Sequence, residues 1–254
     1  MPARTSVHPA APLPRLVLFD MDDTLFDHAL TCRDALARVR EETGFFRGRS
    51  IDELWGEYGR LLDETHTDVM LGRRTADDVR SDRFVRLAAW SGQPIDRETA
   101  AGLSRDYREH YQRLRRAVPG APEAVRRLTG RVQVGVVTNN TVAEQVEKLA
   151  FLGLDRTVEL LVTSEEVGVA KPDPAIFRAA LDRAGAAPQD AVMVGDSWAS
   201  DVVGARAADI RAIWFNRFRE AQPRPPRVSE FSTFRATRRF ERLLLPPKER
   251  TSVR

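Results

Sequence analysis

A short apolar run followed at once by carboxylates is the feature that most constrains how this chain can fold. Residues 16–19 read Leu-Val-Leu-Phe, and Asp20, Met21, Asp22 and Asp23 come next. Four apolar residues are too few for a helix, but they suffice for a strand that is buried on both faces. The acids would then lie at the carboxyl end of that strand, which is the edge where open α/β sheets bind ligands.

Two interpretations of this acidic turn are open from the local sequence. Asp20 and Asp22 are two residues apart, so an extended backbone would direct both carboxylates to the same side. Like charges that close repel unless a cation or a shared proton offsets them, which favours a metal or acid–base site. In the alternative, Asp23 or Thr24 simply caps the following helix.

Three further motifs lie downstream, and together with the acidic turn they resemble one known family. They are Thr138-Asn139-Asn140 after a Val-rich stretch, Lys171-Pro172-Asp173-Pro174, and Gly195-Asp196-Ser197 followed by Asp201. In this order, after Asp-Met-Asp-Asp-Thr-Leu, the motifs resemble those of the haloacid dehalogenase (HAD) superfamily. The resemblance spans Asp20 to Asp201 and points to the phosphatase branch with an inserted helical cap.

The pattern of elements predicts an α/β fold with a doubly wound parallel sheet. Strand-like and helical stretches alternate from about residue 117 onward, which favours parallel strands with right-handed crossovers. Residues 28–116 lack a convincing strand and predict four helices. These helices are expected over residues 30–43, from the capping box at Ser50 to Gly72, from Thr75 to about Gly92, and from Asp96 to Leu114.

The resemblance and the composition together predict the division of the chain. We expect a disordered leader over residues 1–14, a Rossmann-like catalytic core over residues 15–27 and 117–245, an all-helical cap over residues 28–116 and a tail over residues 246–254. No apolar stretch is long enough for a membrane span. The basic residues concentrate in 222–254, where Phe231, Phe234 and Phe240 favour a strand and helix packed on the core over a nucleic-acid surface.

The single cysteine, Cys32, excludes an intrachain disulfide and a cysteine zinc cluster and fits a reducing cytoplasm. We therefore expect a cytoplasmic protein that is a monomer or a homodimer. Its partner would be a small phosphate ester, with neither nucleic acid nor membrane as a partner.

The resemblance also implies a role for each motif residue. Asp20 would attack phosphorus as the nucleophile, and Asp22 would act as general acid and base with a raised pKa. Lys171 would pair with the phosphate and with Asp20. Thr138 and Asn139 would bind phosphate oxygens, in a strand-to-helix turn whose free amides favour anions.

The cofactor implied by the resemblance is Mg²⁺, which prefers oxygen ligands. Asp20 and Asp196 would supply carboxylates, Asp22 its carbonyl, and Asp201 an indirect or water-mediated contact. For Asp201 the alternative is a plain helix N-terminus, since the helix after the fourth strand is expected to begin at Ser200 and Asp201.

The expected activity is Mg²⁺-dependent hydrolysis of a phosphomonoester through an aspartyl phosphate. A nucleoside monophosphate or a sugar or acylneuraminate phosphate would be the substrate, with Arg73, Arg74 and His28 as candidate contacts. Two alternatives remain: a sugar-phosphate mutase of the same superfamily, and a non-catalytic ligand-binding protein with this fold.

Overall fold

The central strand of the sheet is the apolar run that precedes the acidic turn. The computed structural model describes residues 13–70, 73–222 and 228–245. β1, Leu16–Phe19, is fully buried, with Val17 and Phe19 in one apolar cluster and Leu16 and Leu18 in another. The prediction of a strand buried on both faces is confirmed.

Six parallel strands form one sheet in the order β3-β2-β1-β4-β5-β6. The other strands are β2 Gln133–Thr138, β3 Leu160–Thr163, β4 Ala191–Gly195, β5 Arg211–Phe215 and β6 Ser229–Phe231. In register, Leu16 of β1 pairs with Gln133 on one side and Ala191 on the other. The chain order reverses at β1, and this is the point where the loops after parallel strands open a crevice.

Helices cover both faces of the sheet, as a doubly wound fold requires, and further helices in the segment between β1 and β2 pack mainly on one another. In chain order they are α1 His28–Thr43, α2 Ile51–Met70, α3 Ala76–Trp90, α4 Arg97–Leu114, α5 Ala121–Arg126, α6 Val142–Leu152, α7 Ser164–Val167, α8 Pro174–Ala184, α9 Gly204–Ala207 and α10 Thr237–Leu244. Among the described residues, no helix is long and apolar enough to cross a membrane.

The cap segment, residues 28–116, holds helices α1 to α4 and no strand among its described residues. The predicted capping box is present, since Ser50 N donates to the Glu53 carboxylate at 2.8 Å and Glu53 N donates to Ser50 Oγ at 3.2 Å. Thr75 and Asp96 cap α3 and α4 in the same way. Local capping chemistry therefore fixes where these helices begin.

Two differences from the predicted elements are local. The helix expected to begin at Ser200 and Asp201 is instead a π-helical turn over Trp198–Val203, because Ser197 Oγ caps it two residues earlier. Leu13 packs against the core, so the predicted leader ends before residue 14. Most of that leader, the predicted tail and Gly72 lie outside the described residues.

The C-terminal segment packs on the core as predicted. β6 joins the sheet beside β5, and α10 buries Phe240 and Leu244. Phe231 and Phe234 contact the same aromatic cluster, with ring centroids 4.8 Å apart. The apolar positions of this basic segment therefore contribute to the core.

Candidate active site

Asp20 and Lys171 meet directly at the carboxyl end of the central strand. Lys171 Nζ lies 2.5 Å from Asp20 Oδ1, 2.7 Å from Asp201 Oδ1 and 2.9 Å from the Val137 carbonyl oxygen. All three charged side chains are buried. Residues 151 positions apart in sequence thus form one ion-paired cluster, because the segments that follow β1, β3 and β4 converge there.

Three carboxylates of this cluster are arranged as cation ligands. Asp20, Asp196 and Asp201 each offer an oxygen, and the three oxygens lie within 4.8 Å of one another. Burial and the neighbouring acids raise the pKa of Asp20 to about 7, against the lowering effect of Lys171. The same causes raise the pKa of Asp196 well above its usual value. Clustered buried carboxylates with hard oxygen donors fit Mg²⁺, which would offset their repulsion.

Asp22 faces a different set of partners from Asp20. Lys148 Nζ donates to Asp22 Oδ1 at 2.6 Å, while Gln145 Nε2 and Asn140 Nδ2 donate to Oδ2 at 3.2 and 3.3 Å. His28 Nδ1 lies 3.8 Å from Oδ1.

These contacts decide the charge of Asp22. Burial raises its pKa, but the charges of Lys148 and His28 outweigh burial and hold the pKa below its usual value. The expectation that neighbours raise the pKa of Asp22 is therefore wrong, because Lys148 is a buried cation that the motif does not reveal. The Asp22 carboxylate also stands apart from the three-carboxylate group, which leaves its carbonyl as the predicted metal ligand.

Both interpretations of the acidic turn hold, each for different residues of the turn. Asp23 Oδ1 accepts from Ala29 N at 2.8 Å and so caps α1, as the alternative predicted. Thr24 Oγ1 instead donates to Asp196 Oδ1 and accepts from Asp196 N, both at 3.0 Å. The turn therefore orients one of the clustered carboxylates as well as starting the next helix.

The predicted phosphate-binding residues line the same cavity. Thr138 ends β2 and is buried beside Asp20 in the cavity wall. Asn139 Oδ1 accepts from Lys171 N at 2.7 Å, and Asn139 Nδ2 donates to the Lys171 carbonyl at 2.9 Å. The Asn139 side chain thus joins its loop to the lysine loop, and phosphate binding by this residue stays a prediction.

The loop after β4 is tightly packed around Asp201. Ser197 N donates to Asp201 Oδ2 at 2.9 Å, and a Cβ on Gly195 would lie 2.2 Å from that oxygen. Glycine is required at position 195 because any side chain would displace this carboxylate. Trp198 packs edge-on against Trp214 with ring centroids 5.0 Å apart. The Trp214 indole in turn donates to the Asp196 carbonyl at 2.8 Å.

A cavity of about 270 Å³ connects the carboxylate cluster to the cap segment. Of the predicted substrate contacts, His28 lines this cavity, and its Nδ1 lies 3.1 Å from the Tyr111 hydroxyl. Arg73 and Arg74 lie outside its wall, where they pair with Asp68 and Asp82 at 3.6 and 3.4 Å. The arginines in the wall are Arg80, Arg83 and Arg108.

The sequence reasoning missed Lys148 as a site residue and passed over the position of Arg83. Lys148 is buried on the inward face of α6 together with Gln145, Leu149 and Leu152. A lysine on the apolar face of the helix that follows β2 is the signal that could have found it. Arg83 has the same signal in α3, where Val79, Phe84 and Leu87 are its buried neighbours.

A doubly wound parallel sheet with an aspartate–lysine pair and clustered carboxylates at its switch point defines an α/β protein whose ligand site is suited to a divalent cation. A model of the haloacid dehalogenase-like hydrolase family matches residues 14–209. The chain therefore belongs to the haloacid dehalogenase-like hydrolase family, and the resemblance drawn from its motifs is confirmed.

Relatives agree with this assignment over most of their length. A phosphoserine phosphatase of Thermus thermophilus is 33% identical over 239 residues, which cover 85% of this chain and 93% of the relative. A glyceraldehyde 3-phosphate phosphatase of Methanopyrus kandleri is 29% identical over 221 residues, which cover 83% of this chain and 88% of the relative. The fold matches the HAD-hydrolase YfnB of Bacillus subtilis with a TM-score of 0.73, at 23% identity and over 91% and 99% of the two chains.

Proposed function

We propose that this enzyme is a Mg²⁺-dependent phosphomonoester hydrolase that works through an aspartyl phosphate. The observation that carries the proposal is the buried Asp20–Lys171 pair beside Asp196 and Asp201, at the switch point of the sheet. The curated relatives act on small phosphate esters by name, which supports the reaction class.

In the first step, an Asp20 carboxylate oxygen attacks phosphorus and the ester P–O bond breaks. The leaving oxygen takes a proton from Asp22, whose pKa rises when a phosphate dianion comes close. In the second step water attacks the phosphorus of the aspartyl phosphate and returns its proton to Asp22. Inorganic phosphate and the free Asp20 carboxylate are the products.

The other predicted residues prepare this chemistry. Lys171 and Thr138 hold the phosphate oxygens against Asp20, and the Asn139 side chain keeps the lysine loop in place. Mg²⁺ held by Asp20, Asp196, Asp201 and the Asp22 carbonyl would neutralise phosphate charge during transfer. We further propose that residues 28–116 form a cap that closes over the substrate and restricts water.

A phosphate-release screen tests the proposal. Nucleotides, sugar phosphates and small phosphorylated acids are incubated with the enzyme in Mg²⁺ and in chelator, beside Asp20→Asn. We expect release in Mg²⁺ that falls by at least about 10³-fold in the variant, because the nucleophile is gone. Circular dichroism checks that the variant is folded.

Two results would contradict the proposal. Formation of an isomeric phosphate ester without phosphate release would indicate a mutase. Equal ligand binding by wild type and Asp20→Asn, with no turnover of any ester, would indicate a binding protein.

A further inference from the structure

The two walls of the cavity carry opposite charges. The core wall holds the carboxylates of Asp20, Asp22, Glu144, Asp196 and Asp201. Among the described residues, the cap segment contributes three guanidinium groups and the His28 imidazole to the wall but no carboxylate. The cap wall is therefore suited to a negative group of the bound molecule that lies away from the metal ligands.

Of the three arginines in that wall, Arg83 differs in its partners. Arg80 pairs with Asp77 at 2.6 Å and Arg108 with Glu147 at 3.2 Å. Arg83 has no carboxylate within 4.0 Å among the described residues, although only 8% of its surface is exposed. Because a guanidinium remains charged under all ordinary conditions, Arg83 is a buried cation with no counter-charge among the described residues.

The Arg83 side chain is held in place by Thr65. Arg83 Nε donates to Thr65 Oγ1 at 2.7 Å, and that hydroxyl donates in turn to the Leu61 carbonyl at 2.6 Å. This fixes one edge of the guanidinium. No hydrogen bond from another described residue occupies its two terminal nitrogens, which can bind a carboxylate or phosphate bidentately.

Tyr58 provides a second donor on the same wall. Its hydroxyl is buried without a well-aligned hydrogen-bond partner among the described residues, and Tyr107 is a side-chain neighbour that helps to lower its pKa. Burial raises the pKa of Tyr58, and the positive charge of Arg83 acts against that rise, which places the two groups within electrostatic reach. A buried hydroxyl without a partner costs free energy unless a ligand supplies one.

We propose that Arg83 and Tyr58 form a subsite for a second anionic group of the substrate, remote from the phosphate that is transferred. This inference rests on the proposed phosphomonoester hydrolase function and narrows its substrate class to esters that also carry a carboxylate or a second phosphate. Such a group supplies the missing counter-charge for Arg83 and an acceptor for Tyr58.

A matched pair of esters tests the subsite by kinetics. 3-Phosphoglycerate and glycerol 3-phosphate differ in a carboxylate against a hydroxymethyl group. We expect wild-type kcat/KM to be higher for 3-phosphoglycerate, and Arg83→Met to lower that value about 10- to 100-fold, as loss of a charged hydrogen bond does. The value for glycerol 3-phosphate should change less than about twofold. Arg86→Met, which removes an arginine of the same helix that pairs with Glu64 outside the cavity, is the control.

A second pair of esters, ribulose 1,5-bisphosphate and ribulose 5-phosphate, tests whether the second anion is a phosphate instead of a carboxylate. If kcat/KM is higher for the doubly anionic ester of one pair, and Arg83→Met removes that preference, the pair identifies the anion that the subsite binds. Equal kcat/KM within both pairs for wild type, or an equal loss on all four esters in Arg83→Met, overturns the subsite.

Binding separates failure of the subsite from failure of the proposed function. Isothermal titration calorimetry is done on the Asp20→Asn variant with Mg²⁺. Adding Arg83→Met should weaken the binding of 3-phosphoglycerate or ribulose 1,5-bisphosphate at least tenfold more than the binding of the matched ester, glycerol 3-phosphate or ribulose 5-phosphate. This holds even if wild type hydrolyses nothing, and an unchanged ratio refutes the subsite. Should Arg83→Met fail to fold, Tyr58→Phe is expected to reduce the same preference about 3- to 10-fold, and no reduction refutes it.

Discussion

The site holds two aspartates, Asp20 and Asp22, that are two residues apart in sequence. Each pairs with a lysine, but the two carboxyl groups differ in their protonation. In the pair Asp20–Lys171, the lysine is shared with Asp201, and burial and acidic neighbours raise the pKa of Asp20 to about 7. In the pair Asp22–Lys148, burial also opposes ionisation, but Lys148 and His28 hold the carboxyl pKa below its usual value.

The comparison shows that pairing with a lysine does not by itself fix the charge of a buried aspartate. The sum of neighbouring charges decides it, and around Asp20 that sum is negative, since Asp196 and Asp201 both lie nearby. The Asp20 side of the site is thus short of positive charge, which a divalent cation would supply. Around Asp22, cationic and amide donors already compensate the carboxylate.

The largest expected effect comes from Lys171→Met. The change leaves Asp20 and Asp201 buried without their cation, which typically costs about 3–5 kcal/mol of unfolding free energy. We expect phosphate release to fall below detection. Urea denaturation followed by circular dichroism measures the stability loss, and a variant as stable and active as wild type would show that the pair is not needed. Lys171→Arg, which keeps the charge, is the control.

Lys148→Met should have a smaller effect and a different signature. Removing the main charge that lowers the pKa of Asp22 moves that pKa upward, so the limb of the kcat–pH profile that reports Asp22 should shift to higher pH. We expect kcat to fall about 10- to 100-fold, because the hydrogen bond from Lys148 that orients the Asp22 carboxyl is lost and acid–base catalysis weakens. Lys148→Arg should keep the wild-type profile. An unshifted profile in Lys148→Met would contradict the role of Lys148 in holding the pKa of Asp22 low.

The smallest effect concerns the pH dependence of metal stabilisation. Because the pKa of Asp20 is raised from 3.8 to about 7, the folded metal-free protein binds an extra proton between those values and loses stability as pH rises through 7. Mg²⁺ competes with that proton, so it should raise Tm by a few degrees more at pH 8 than at pH 5.5. Differential scanning fluorimetry with Mg²⁺ and with chelator measures the difference. Equal increments at the two pH values would contradict the assignment, and Asp20→Asn should reduce the pH dependence, with the remainder coming from Asp196.

Much of the fold was predictable from local chemistry. The strand at Leu16–Phe19 was predictable because its residues are apolar on both faces. The starts of the helices at Ser50, Thr75 and Asp96 were predictable because capping is a local interaction. The turn after β4 was mispredicted, since Asp201 lies inside it, where its carboxylate pairs with Lys171 thirty residues away.

The site was predictable in part. Asp20, Lys171, Asp196 and Asp201 were named from motifs, and the structure brings them into one cluster. Arg73 and Arg74 were named because the stretch before α3 resembles the caps of small-molecule phosphatases, and they lie outside the cavity, while Arg83 was left without a role. Which face of a helix meets the cavity depends on packing between helices far apart in the chain.

The sequence by itself determined the strand, the order of the motifs and the family, because these rest on residue type and spacing along the chain. Only the tertiary structure decided that Asp22 is ionised against Lys148 and that Arg83 lines the cavity with no carboxylate of the described residues as its partner. Both are consequences of burial and of charges brought together across more than a hundred residues or across helices, and no local pattern encodes those distances.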